Sequence, residues 1–170
     1  MVTEAASASA LLIHNAIQAK GWPTFDHLIL TSAFLPEDVA HKTLTRGGYN
    51  PQRITAESYR LACSGAVTAF IDALARPDLQ DKRVVIMAAE PLSALFDERH
   101  FTAQHVVISA IFGDDYAALA FRPADYKLVA AKTLVIPDGG IIRLRTWYDL
   151  PEHDEKRTLP HYEFAEGGRE

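Results

Sequence analysis

The sequence predicts an α/β fold built around a largely parallel sheet, and three observations predict it. Along the first half of the chain, stretches with apolar residues at helical spacing alternate with short strand-like runs. The runs at 28–31 and 83–90 are almost continuously apolar, the pattern of strands covered on both faces. The boundaries carry helix- and strand-breaking residues: Gly21-Trp22-Pro23, Gly47-Gly48 and Arg76-Pro77-Asp78.

Taken in order, residues 3–20 read as a helix. Thr3 suits its cap, Glu4 its first turn and Gly21 its end, while Leu12, Ile13, Ala16 and Ile17 form one apolar face. His14 and Asn15 fall on its surface. Leu28-Ile29-Leu30-Thr31 is the first strand. Pro36, Glu37 and Asp38 open a second helix that runs to about Thr45, and residues 46–56 form a polar connection. Tyr59 and Leu61 alternate with Ser58 and Arg60 as a short strand leading to Cys63. Ala66, Ala69, Phe70, Ala73 and Leu74 then recur at helical spacing. Residues 83–90 make the next strand. Residues 91–103 read as irregular, 101–111 as a helical turn or two, Phe112-Gly113-Asp114-Asp115 as a turn and 116–121 as a strand. Pro137-Asp138-Gly139-Gly140 has the chemistry of a turn joining strands at 128–136 and 141–147 into a C-terminal hairpin. Residues 1–150 are expected to form one domain and 151–170 a charged C-terminal extension.

The totals exclude several function classes. With 170 residues, 48% hydrophobic and 23% charged, the chain is long enough for a sizeable core. A net charge of −5 without a basic stripe argues against nucleic acid. No apolar run approaches the roughly 18 residues that cross a bilayer, and the N-terminus lacks the pattern of a secretory signal. No membrane role and a cytoplasmic location are therefore expected. The one cysteine rules out an internal disulfide and a multi-cysteine zinc site. His100 and His105 are five apart, whereas helical metal pairs share a face at four, so no metal is expected. His27, His41, His153 and His161 read as surface residues. Nothing in the chain points to a cofactor.

That cysteine is the candidate for chemistry. Cys63 falls where a strand turns into a helix, and unpaired amide N–H groups together with the helix dipole favour thiolate there. Ser64 and Gly65 are small, leaving room for a substrate to approach. The competing reading is that Cys63 is a small buried hydrophobe.

Four stretches, in order, resemble the N-terminal half of a β-ketoacyl-acyl carrier protein synthase III, a condensing enzyme of the thiolase fold. They are the opening helix leading into the strand at 28–31; Leu61-Ala62-Cys63-Ser64-Gly65, similar to the family's Ala-Cys-Ser/Ala-Gly nucleophile turn; Val84-Val85-Ile86-Met87-Ala88-Ala89-Glu90; and Phe112-Gly113-Asp114-Asp115, similar to its Phe-Gly-Asp-Gly. The likeness covers roughly residues 3–122. It implies half of an αβαβα sandwich, with helices on both faces of a mostly parallel sheet. It also implies an acyl group carried on Cys63 from acyl-CoA or an acyl carrier protein, and a homodimer or heterodimer. The family pairs its cysteine with a histidine and an asparagine from a second half that this chain lacks. Asp115 stands where the family has glycine. The resemblance leaves a second role open, that of a non-catalytic companion subunit shaping a condensing-enzyme dimer.

Overall fold

The computed structural model describes residues 2–33, 35–61, 64–92, 106, 110, 113–131, 142–146 and 160–164, the last two ranges as backbone only. Strand β1 (His27–Thr31) is buried at every position. It can be so because both its edges are paired. β2 (Thr55–Tyr59) runs parallel on one side, with Ile29 opposite Glu57. β3 (Val84–Glu90) runs parallel on the other, with Ile29 opposite Ile86. β4 (Asp115–Phe121) completes the sheet antiparallel to β3, giving the order β2-β1-β3-β4. The sheet is thus mostly parallel, as its apolar runs predict.

Helices cover both faces. α1 (Val2–Ala19) packs on β3, β4 and α2 (Val39–Arg46), and α2 lies over β1 and β2. α1 buries Ala5, Ala6, Ser9, Ala10, Ile13 and Ile17, a three-and-four spacing whose small residues allow close approach. α3 (Gly65–Ala75) packs on β1 and β3. Ala69 and Ala73 are buried there with Ile29, Val84, Ile86 and Phe121, and Phe70 meets the Phe121 ring at 4.9 Å. Strand side chains alternate between faces, so Ile29, Val84 and Ile86 serve α3 while Leu28, Leu30, Val85 and Met87 serve the opposite layer. Burying each of these large side chains contributes about 2 kcal/mol.

α1 and α2 end alike. Trp22 N–H donates to Ile17 O and Tyr49 N–H to Leu44 O, across Gly21 (φ 66°) and Gly48 (φ 72°), left-handed positions that glycine fills without strain. At the start of the sheet, Asp26 accepts from the Arg83 backbone N–H and from its guanidinium Nε and Nη2 at 2.9–3.0 Å, tying β1 to β3. Those bonds hold the Asp26 carboxyl below its ordinary pKa.

The sequence-based reading differs from the fold at four points. β2 occupies 55–59, not 58–61. It ends where β1 ends: Thr31 faces Tyr59, Ser32 N–H donates to Tyr59 O, and Arg60 and Leu61 pair with no strand among the described residues. Its polar start, Thr55-Ala56-Glu57, reads as loop, yet it suits a sheet edge. His27 is buried at 3% exposure, with Nε2 2.7 Å from Glu57 Oε1, and is not a surface residue. Leu128 to Ala131 form no strand, and the rest of the strand expected to 136 lies outside the described residues. Finally, β6 (Pro160–Phe164) falls within the stretch read as an extension and pairs antiparallel with β5 (Ile142–Thr146).

The chain divides into two units, Met1–Glu90 with Asp115–Lys132, and Pro91–Asp114 with Thr133–Glu170. The four-stranded sheet belongs to the first and the β5–β6 pair to the second. No helix among the described residues is long and apolar enough to cross a membrane.

Candidate functional site

In an open α/β sheet, ligands gather beyond the carboxyl ends of the parallel strands. Here that end is formed by Thr31 closing β1 with Ser32 after it, Tyr59 closing β2 and Glu90 closing β3. Cys63 and Ala62 lie outside the described residues, as does Phe34. In sequence Ala62 and Cys63 fall between β2 and α3: Leu61 precedes them, and Ser64 and Gly65, the cap and first residue of α3, follow.

Gly65 is seated tightly on β1. A Cβ there would lie 3.1 Å from Thr31 Cβ and 3.4 Å from Thr31 Oγ1 and Leu61 Cβ. A Cβ at this position would require Thr31 to give by a few tenths of an ångström, so glycine lets α3 start this close to the sheet without strain. Ser64 holds the cap position without a side-chain cap bond, and its carbonyl accepts from Thr68 N–H at 2.9 Å. The first-turn N–H groups of an eleven-residue helix therefore lie just after the cysteine in sequence.

β1 and β3 are clasped at this same end. Ala33 N–H donates to both Glu90 carboxylate oxygens, at 2.9 and 3.1 Å, and Leu35 N–H donates to Ser32 Oγ at 3.3 Å. Burial pushes the Glu90 pKa up, while the Ala33 N–H and the Ser32 hydroxyl pull it down. Thr31 and Ser32 are each 2% exposed. On β2 the Tyr59 hydroxyl donates to Asp72 of α3, and burial together with that carboxylate pushes the tyrosine pKa up to about 12. Tyr59 therefore stays protonated at neutral pH and clamps β2 to the helix.

The structure brings Thr31, Ser32, Glu90 and the first residues of α3 to one end of the sheet. The sequence reading placed the cysteine turn there but missed Glu90 and Ser32. The available signal was a lone carboxylate closing the apolar run 84–89, and a Thr-Ser pair closing the run 28–30. His14 and His41 are exposed, as read, and His100, His105 and His153 lie outside the described residues. Among the described residues no cluster of His, Cys, Asp and Glu is arranged to hold a metal ion.

No family model and no curated protein matches the sequence. Solved structures do match. Germicidin synthase from Streptomyces coelicolor, a type III polyketide synthase, is similar with a TM-score of 0.74 at 18% identity, over 95% of this chain and 43% of that one. The 3-oxoacyl-(acyl carrier protein) synthase III of Pseudomonas aeruginosa PAO1 gives 0.60 at 17%, over 92% and 48%. The 1,3,6,8-tetrahydroxynaphthalene synthase of S. coelicolor A3(2) gives 0.60 at 17%, over 95% and 46%. The chain spans under half the length of each. At these identities the likeness establishes the fold: the chain has part of the thiolase-like architecture that these synthases share.

Proposed function

We propose that the chain is the acyl-accepting half of a condensing enzyme, with Cys63 as the acyl acceptor. The observation that supports this most is the seat of Gly65 on Thr31. It starts α3 directly against the carboxyl end of the sheet, and Gly65 follows Cys63 by two residues in sequence. A thiolate in that turn attacks the carbonyl carbon of an acyl thioester. The new S–C bond forms, a tetrahedral oxyanion collapses, and the departing thiol takes the proton that Cys63 gave up. The Cys63 backbone N–H is the proposed oxyanion donor, a kind of contact worth about 3 kcal/mol. The acyl donor is an acyl-CoA or an acyl carrier protein.

Decarboxylative condensation needs further groups, a histidine and an asparagine by resemblance. In this proposal they come from a second half, supplied by a longer chain or by a partner in a homodimer or heterodimer. The span of under half of each similar synthase supports this part of the reading. The same observation favours a second reading, in which the chain is a companion subunit that shapes the dimer and carries no acyl group. Incubation with acyl-CoA followed by intact-mass measurement separates the two. An adduct of acyl mass that is absent in Cys63→Ser is expected. No adduct, with slow alkylation of Cys63 at neutral pH, leaves the companion reading standing.

A further inference from the structure

The opposite end of the same sheet carries two adjoining clefts that this chemistry does not use. The larger, about 810 Å³, lies where α1 and α2 end and β1 begins. Its apolar lining is supplied by Ile17, Trp22, Pro23, Phe25, Tyr49 and Ile54. The rings are held in place. Tyr49 packs edge-on to the buried Phe25 at 5.1 Å, and the Arg122 guanidinium stands over Trp22 at 5.9 Å. A volume of this size suits a small organic ligand.

The smaller cleft, about 320 Å³, shares Asp26 and Arg53 with the larger, so the two adjoin at these side chains. Its lining holds three cations, Arg53, Arg76 and Lys82, against two carboxylates, Asp26 and Asp78. Both carboxylates are already taken: Asp26 by Arg83 at 2.9 Å and Asp78 by Arg76 at 2.9 Å. Neither Arg53 nor Lys82 forms a salt bridge among the described residues; Lys82 only adds to the field at Asp26, whose carboxylate Arg83 already holds. Helix carbonyl ends would repel an anion here, but several are occupied. Gln80 Nε2 donates to Leu74 O and Arg76 O, and Tyr49 N–H to Leu44 O.

We propose that the two clefts form one binding site for an aryl phosphate, with the planar ring against Trp22 and Tyr49 and the phosphate against Arg53 and Lys82. Neither cleft alone explains the pairing. The aromatic wall offers stacking area, the cationic corner offers two donors outside any salt bridge, and Arg53 lines both. A ring alone leaves the cations unused, and inorganic phosphate alone leaves the rings in water. The site stands or falls independently of acyl transfer, because it uses no residue of the cysteine end.

The test is equilibrium titration of the full chain with 1-naphthyl phosphate, 1-naphthol and inorganic phosphate. Calorimetry serves on the unsubstituted chain. Trp22 fluorescence serves in Trp147→Phe, since the sequence has two tryptophans. Saturable binding of naphthyl phosphate at least about tenfold tighter than either fragment is expected, as befits a charge-assisted contact added to stacking. Arg53→Gln and Lys82→Gln, both exposed positions, should each weaken naphthyl phosphate several-fold and leave naphthol unchanged. Equal affinity for naphthol and its phosphate, or an affinity indifferent to both substitutions, overturns the proposal. So does the absence of saturable binding.

Discussion

Glu90 shows how one carboxylate sets a pH dependence. Burial raises its pKa above the ordinary 4.5, so the folded chain holds this proton to higher pH than the unfolded chain does. Its contribution to stability is therefore complete below the unfolded value and is lost as pH rises through the folded one. Glu90→Gln keeps an oxygen for the Ala33 N–H and removes the ionisation. The melting temperature of the variant relative to the parent should therefore rise between about pH 4 and about pH 7. A difference that is flat or falling over that interval would refute the assignment of burial as the dominant influence. Asp26 is the opposite case. Arg83 lowers its pKa, so its contribution is present above the unfolded value and disappears in acid.

At the scale of elements, the start of α3 is the most constrained junction. A side chain at Gly65 must push Thr31, itself only 2% exposed, by a few tenths of an ångström, and the atoms beyond a Cβ by more. Gly65→Val should cost about 1–3 kcal/mol, the usual range for overpacking, read as a lower denaturant midpoint at unchanged slope. Under the proposed function it should also slow acylation of Cys63; a midpoint equal to that of the parent would mean the seat is loose. Much of this level was legible in the sequence. Periodicity and punctuation located α1, α2, α3, β1, β3 and β4, because each is long enough or apolar enough to declare its period. β2 was misplaced because an edge strand carries polar residues, and Glu57 has its charge met by Arg76 from the end of a helix nineteen residues on. Buried His27 was misread for the same reason. Its partner is the same Glu57, thirty residues away, and spacing along the chain cannot announce a bond across the sheet. Ser32 and Glu90 come together in the same way, through strand order. Cys63 itself lies outside the described residues; what the structure bears out next to it is that Gly65 begins a helix, as the small residues and the spacing that follows predict.

At the scale of the molecule, the sheet should not be uniformly stable. β1 and β3 are paired on both edges and buried from both faces, whereas β2 and β4 each end the sheet among the described residues. Amide hydrogen exchange should rank them accordingly. The N–H groups of Leu28 to Leu30 and Val85 to Met87 should exchange only with global unfolding, and those of β2 and β4 sooner, by local opening. If β2 amides proved as slow as those of β1, some further element would have to cover that edge. Exchange measured with and without naphthyl phosphate would also report on the cleft where β1 begins, separately from the cysteine end.

The register of β1 also constrains how its sequence can change. His27, Ile29 and Thr31 look toward α3 while Leu28 and Leu30 look away, and both flanking strands read that parity at once. Deleting or inserting a single residue within the strand would turn its odd and even sides inside out, taking Thr31 from beneath Gly65 and leaving buried His27 without Glu57. Variation in length along β1 can therefore come only in twos, and substitution is the freer route by which this strand can diverge.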